Sequence, residues 1–162
     1  MMKMVWNSIA AHIRMPVAVQ ADMLYAEQEY QKSDTIVFDF VSINDGNGYK
    51  ESTGIFTVPH SGLYEAYATA QVHYETPLHS PRSMELVINS TNLMSSDMPF
   101  SMGISSRTDN NNYVGAVVHG ICYLKKGDTV VVRNVHPHTK WLTGTFILAL
   151  LQPEMTNSQE LQ

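Results

Sequence analysis

The sequence predicts an all-β fold, an antiparallel β-sandwich in which periodicity alone marks seven to nine strands. Three observations carry this. Apolar residues alternate with polar ones at a period of two in several short windows, Gly- and Asn-rich turn chemistry separates them, and no window of helical length sustains an apolar face at a period near 3.6. The stretch Asp22–Gln31 comes nearest to a helical pattern and lacks a continuous apolar side. At 162 residues the chain is one domain's length, long enough to bury a core without disulfides or a structural metal.

Taken in order, Val17–Gln20 reads as an opening strand, and Thr35–Ile43 as a second with Ile36, Phe38 and Phe40 on one face and Asp39 on the other. Asn44-Asp45-Gly46-Asn47-Gly48 then turns the chain, because Gly and Asn tolerate positive φ at small steric cost. Ile55–Val58 is a short strand stopped by Pro59, and His60-Ser61-Gly62 turns into Leu63–Val72. There Tyr64, Ala66, Ala68, Ala70 and Val72 form a small-residue face made for close sheet packing, with Glu65, Thr69 and Gln71 opposite. Met84–Ile88, Tyr113–Leu124, Thr129–Arg133 and Thr143–Leu151 complete the set, with Lys126-Gly127-Asp128 as a turn. Between them Met84, Met94, Met98, Met102 and Phe100 read as adaptable core or subunit contact, and Cys122, among Ile121, Tyr123 and Leu124, as a buried thiol. Spacing and turn chemistry fit a jelly roll or an immunoglobulin-type sandwich, and the single cysteine disfavours the second.

Composition removes several function classes. Ten Lys and Arg against fifteen Asp and Glu give a net charge of −5, which lacks the concentrated positive surface that nucleic acid requires. The longest apolar runs, such as Phe146–Leu151, are far short of the roughly 18 residues that span a bilayer as a helix. Residues 1–14 read as an N-terminal arm, 15–152 as the globular unit and 153–162 as a C-terminal tail; the apolar start is broken by Asn7 and Ser8, unlike a signal peptide. Seven histidines outnumber the net charge, so assembly or binding is expected to respond to pH between about 7.5 and 5.5.

Particular residues sharpen the fold. Ile36-Val37-Phe38-Asp39, the Asn44–Tyr49 turn, Thr53-Gly54-Ile55-Phe56-Thr57-Val58-Pro59 and Ser61-Gly62-Leu63-Tyr64 follow at the spacing of a strand, an Asn/Gly turn ending in an aromatic residue, a Gly-x-Phe-x-x-Pro strand and a Gly-x-Tyr strand. Leu124-Lys125-Lys126-Gly127-Asp128-Thr129-Val130 adds a Leu-x-x-Gly-Asp-x-Val hairpin, and Val17-Ala18-Val19 an opening strand. In these the chain resembles the complement C1q-like globular head domain of the C1q/TNF superfamily, over about Met15–Gln152. The closing strand Thr143–Leu148 keeps the family's Phe-x-Gly-Phe pattern only in part. The resemblance implies an antiparallel jelly-roll β-sandwich of about ten strands, assembled as a homotrimer and secreted to the extracellular space. It also implies a non-enzymatic recognition module that requires no cofactor. Carbohydrate or microbial surface patterns, lectin-like and of innate-immunity type, are the expected ligands, with calcium assisting. A head that binds a protein ligand in assembly or signalling is the alternative.

Candidate site residues fall in three places. His136-Pro137-His138 puts two imidazoles at i and i+2, which on a strand share one side, as in the metal pair of jelly-roll cupins. The carboxylate a cupin needs next is replaced by Thr139 and Lys140, so a cupin-like metalloenzyme is the third reading; a solvent-exposed loop with incidental histidines comes first, and ligand contact through His136, His138, Lys140 and an exposed Trp141 stacking face comes between them. Arg107 offers bidentate hydrogen bonds to a carboxylate such as that of an acidic sugar. Beside it Asp109, Asn110 and Asn112 carry the oxygen donors that suit calcium. Asn89-Ser90-Thr91 makes Asn89 an N-glycosylation acceptor in a secreted chain. Gly-x-Ser-x-Gly, His-Glu-x-x-His and phosphate-binding glycine loops are absent, which argues against catalysis.

Overall fold

A computed structural model describes residues 16–24, 28–73, 82–89, 98–104 and 113–155, leaving undescribed the side chains of 73, 89, 98–104, 113 and 114. The described residues form eleven strands and no helix: β1 (Ala18–Met23), β2 (Glu29–Tyr30), β3 (Phe40–Asp45), β4 (Tyr49–Lys50), β5 (Ile55–Thr57), β6 (Gly62–His73), β7 (Ser83–Asn89), β8 (Met98–Ile104), β9 (Tyr113–Leu124), β10 (Thr129–Asn134) and β11 (Thr139–Pro153). They build two sheets whose described pairings are all antiparallel. One runs β3-β1-β11-β6-β9 with β2 paired to β11, and the other runs β4-β5-β10-β7-β8. This is the expected jelly-roll sandwich.

Alternation decides which side chains lie between the sheets. In β6 the Tyr64, Ala66, Ala68, Ala70 and Val72 face is buried, as its small residues predict. Gly144 of β11 continues that economy of volume, since a Cβ there would lie 2.4 Å from the Thr69 carbonyl oxygen. Phe146 fills the middle of the sandwich, with its ring centroid 5.9 Å from Phe38 and 5.7 Å from Tyr49. Burying side chains of this size contributes roughly 1.5–3 kcal/mol each, which makes this inner layer the main source of stability.

The expected strand Thr35–Ile43 is replaced by a crossing. Thr35 bridges to Arg133 and the Ile36 amide donates to the Val132 carbonyl at 2.8 Å, both in the five-stranded sheet, whereas Phe40 onward pairs with β1 in the other. Ile36 and Phe38 are buried as expected, but Phe40 is 57% exposed because the pleat is re-set when the chain changes sheets. A bulge opposite Gln20 and Ala21 then admits Ser42 as an extra residue, whose hydroxyl donates to the Gln20 carbonyl at 3.2 Å.

Side chains supply what ladders cannot give the crossing. The Phe38 amide donates to the Tyr49 hydroxyl at 3.2 Å while that hydroxyl donates to the Phe38 carbonyl at 2.9 Å. Tyr49 is itself placed by Asn44, whose amide nitrogen donates to the Tyr49 carbonyl at 2.9 Å and whose oxygen accepts the Tyr49 amide at 3.1 Å. Gly54 stands at φ +72°, where a Cβ would also lie 2.8 Å from the Ile36 carbonyl oxygen. The Gly of the Gly-x-Phe-x-x-Pro strand is therefore fixed by the crossing chain beside it.

Two consequences are measurable. Gly54→Ala is expected to lower unfolding free energy by about 1–3 kcal/mol in urea titration, from strained φ and the carbonyl clash together. Burial pushes the phenols of Tyr49 and Tyr64 up to about 12, against their hydrogen bonds to Phe38 and His60. Their stabilisation is thus complete below pH about 10, the value of a free phenol, and is lost as pH rises towards about 12. Phenolate absorbance should show both groups titrating only together with unfolding; titration of every phenol near pH 10 in a folded chain would contradict this.

Candidate functional site

The histidine loop lies between β10 and β11 and is held from beneath. Asn134, 1% exposed, spreads its amide hydrogens over the carbonyls of Tyr30, Gln31 and His136, while its oxygen accepts the indole N–H of Trp141 at 3.0 Å. Buried Thr139 donates its hydroxyl to the His136 carbonyl at 2.8 Å. Backbone bonds from Ser33 to the Asn134 carbonyl and from Asn134 to the Asp34 carbonyl, 2.9 and 2.8 Å, bind the 30–34 segment to the same loop. Because buried polar groups are costly when unpaired, this cluster fixes the loop's shape.

Trp141 is a correction to the sequence reading. It is 0% exposed and presents no stacking face, since β11 begins at Thr139 and alternation turns Thr139 and Trp141 inward with Lys140 outward. The histidines also depart from the strand geometry expected of them. They sit in the turn before β11, with His138 at φ 55°, and make separate contacts. His136 Nε2 lies 3.2 Å from the Ser83 hydroxyl, and His138 Nδ1 lies 2.8 Å from Glu29 Oε1. Lys140 stands opposite Glu29 in the β2–β11 ladder, and Arg82 Nη1 donates to the Pro137 carbonyl at 3.3 Å. The hydrogen bond from His138 is the main cause that holds the Glu29 carboxyl below its usual range. His136, His138 and Lys140 are therefore brought to one corner, where Glu29 and Arg82 join them. Arg107, Asp109, Asn110 and Asn112 lie outside the described residues; Asn89 ends β7 opposite Thr129, and its side chain is not described. Among the described residues no three His, Cys, Asp or Glu side chains gather as metal ligands.

A second surface was not singled out by sequence motifs. The register of the larger sheet lines up three rows across its outer face. Phe40, Asp22, Thr145, Thr69 and Val117 form the first; Ile43, Gln20, Ile147, Tyr67 and His119 the second; Asp45, Ala18, Ala149, Glu65 and Ile121 the third. Phe40 and Ile43 make an exposed apolar patch at the β3 edge, and Val117, Ile121 and Tyr123 another at the β9 edge. Between them lies a shallow open depression lined by Glu65, Tyr67, His119, Ile147 and Ala149. His119 Nε2 is 2.7 Å from Glu65 Oε1, a diagonal contact between β9 and β6 with both side chains about half exposed. These rows contain no Lys or Arg. The available signal was β9 itself, apolar on both faces where a half-buried strand should alternate.

The family model of the C1q domain matches residues 18–146. The chain belongs to the C1q domain family. Solved structures agree at the level of the fold. The globular domain of zebrafish complement 1qA protein superposes with TM-score 0.63 at 18% identity, covering 85% of this chain and 99% of that one. Eiger TNF from S. frugiperda gives 0.70 at 16%, covering 91% and 100%, and murine APRIL at pH 5.0 gives 0.61 at 14%, covering 82% and 99%. No curated protein sequence matches the chain significantly. This C1q domain thus presents two distinct surfaces, a stiff polar corner at the histidine loop and a broad apolar sheet face.

Replacing Asn134 tests the corner. Asn134→Leu removes the acceptor of the Trp141 indole and the donor to three carbonyls, and is expected to cost about 2–4 kcal/mol in chemical denaturation. A loss below about 0.5 kcal/mol would show that the cluster does not hold the loop.

Proposed function

We propose that this C1q domain is the non-enzymatic head of a secreted homotrimer that recognises ligands at its exposed loops. The observation that carries the assembly is the outer face of the larger sheet, with separate apolar patches at its β3 and β9 edges. Clusters of exposed large apolar side chains rimmed by polar residues mark interaction surfaces. Two different patches at opposite edges suit head-to-tail contacts, in which one edge of each chain meets the other edge of the next and a ring closes at three. Family membership supports the same reading.

For the ligand, the favoured class is carbohydrate or another microbial surface pattern, contacted by Arg107, His136, His138 and Lys140. Asp109, Asn110 and Asn112 would offer calcium one carboxylate and two amide oxygens, hard donors of the type it prefers. Calcium there would neutralise the loop and bridge to sugar hydroxyls. Asn89 is the proposed glycan acceptor. Burial of Trp141 removes the aromatic platform that sugar stacking would use, and this favours a protein ligand as the second reading. The cupin-like reading loses its geometric support, because His136 and His138 make separate contacts with Ser83 and Glu29.

Sedimentation velocity at micromolar concentration is expected to give three times the 18.2 kDa chain mass. Ile121→Asp, 56% exposed in the single chain, should yield folded monomer with an unchanged circular-dichroism spectrum. A monomeric wild type would overturn the assembly. A glycan array read with calcium and with chelator decides the ligand class: binding that falls on Arg107→Ala and on His138→Ala supports carbohydrate, and a blank array under both conditions removes it.

A further inference from the structure

Glu65 and His119 place a titratable couple within an otherwise largely apolar stretch of the sheet face, against Ile121 and Val117 on β9, Tyr67 on β6 and Ile147 on β11. Resting on the trimer reading above, we propose that this couple makes assembly proton-coupled. Each chain carries a proton shared between His119 Nε2 and Glu65 Oε1 when the faces close, so the trimer is tighter in mildly acidic solution and loosens as pH rises.

The argument is one of net charge and water. In the separate chain both side chains are about half exposed, and water solvates the couple whether or not it holds the proton. Closing the face against another copy removes that water. A carboxylate beside a neutral imidazole then leaves one uncompensated negative charge per chain in apolar surroundings, whereas the protonated couple is neutral overall and internally hydrogen-bonded. Burying a net charge is far costlier than burying such a pair.

The other groups on the face push the same way. Asp22 from β1, Asp45 from β3 and Glu154, which meets Tyr123, add acidic groups, Tyr67 of β6 and Tyr123 of β9 bring phenols, and the outward Thr145, Ile147 and Ala149 of β11 bring no ionisable group. With no Lys or Arg in the three rows, a proton on the couple supplies positive charge that these rows otherwise lack.

The sign follows from linkage. Closing the face favours the protonated couple, so assembly takes up to one proton per chain and the trimer association constant falls as pH rises, by at most about three decades per pH unit.

The experiment is sedimentation equilibrium of the full chain at about pH 6 and about pH 8, at matched ionic strength with chelator, for wild type, Glu65→Gln, His119→Gln and His138→Gln. Wild type is expected to need at least about tenfold higher concentration for half-assembly at the higher pH. Glu65→Gln reverses the direction, because protonation then gives the couple a net charge instead of removing one. His119→Gln leaves the carboxylate alone, assembling weakly at both pH values with the slope removed. His138→Gln, which breaks the other exposed His–Glu pair, keeps the wild-type slope. A trimer equally strong at both pH values, or Glu65→Gln retaining the wild-type direction, overturns the proton coupling alone. A chain monomeric throughout overturns the trimer reading and this inference with it.

Discussion

The phenol of Tyr49 is the interaction on which the sandwich depends. A chain passing from one sheet to the other must leave the first ladder before it reaches the second, and its buried peptide groups still require partners. Tyr49 gives Phe38 both, accepting from its amide and donating to its carbonyl, while the Tyr30 hydroxyl accepts the Val37 amide at 3.4 Å. The ring that carries this hydroxyl packs against Phe146. The polar connection between the sheets and the apolar layer joining them thus meet in one side chain. Asn44 sets its position from the preceding turn, which gives the Asn-to-Tyr spacing of that segment a reason in hydrogen bonding as well as in turn preference.

The parts legible from sequence are those where local pattern and tertiary environment agree. β6 alternates small apolar and polar residues, and its structure has one face buried and one turned outward. The Gly54 strand could be recognised because its glycine answers a backbone contact that few other residues would tolerate. Phe40 was misplaced because period-two alternation runs unbroken through Ile36, Phe38 and Phe40, while the change of sheet resets the pleat; periodicity contains no mark of that change. Trp141 was misplaced for a related reason. The expected last strand starts at Thr143 and leaves Trp141 outside it, whereas β11 starts at Thr139 and makes Thr139 and Trp141 inward positions. Glu65 and His119 are 54 residues apart on strands whose register only folding establishes, so no motif could join them.

The two surfaces differ in stiffness as well as chemistry. Around Asn134 hydrogen bonds tie the histidine loop to strands and to the 30–34 segment, so a ligand there meets groups whose ordering is already complete. The sheet face is built on the longest strands, and its composition tolerates exposure without requiring it. A recognition head would benefit from this division, because loops can vary in chemistry without disturbing the strands that carry them.

β11 occupies the middle of the larger sheet, between β1 and β6, yet among the eleven strands it is the last in chain order. During synthesis β1, made first, and β6 each wait with an open backbone edge for a partner that leaves the ribosome more than a hundred residues after β1. The sheet cannot be completed from one end as the chain emerges; it closes when a final segment enters a slot already flanked on both sides. Until then the nascent chain exposes the edges and apolar faces that chaperones recognise, and its folding is timed by the arrival of its last strand.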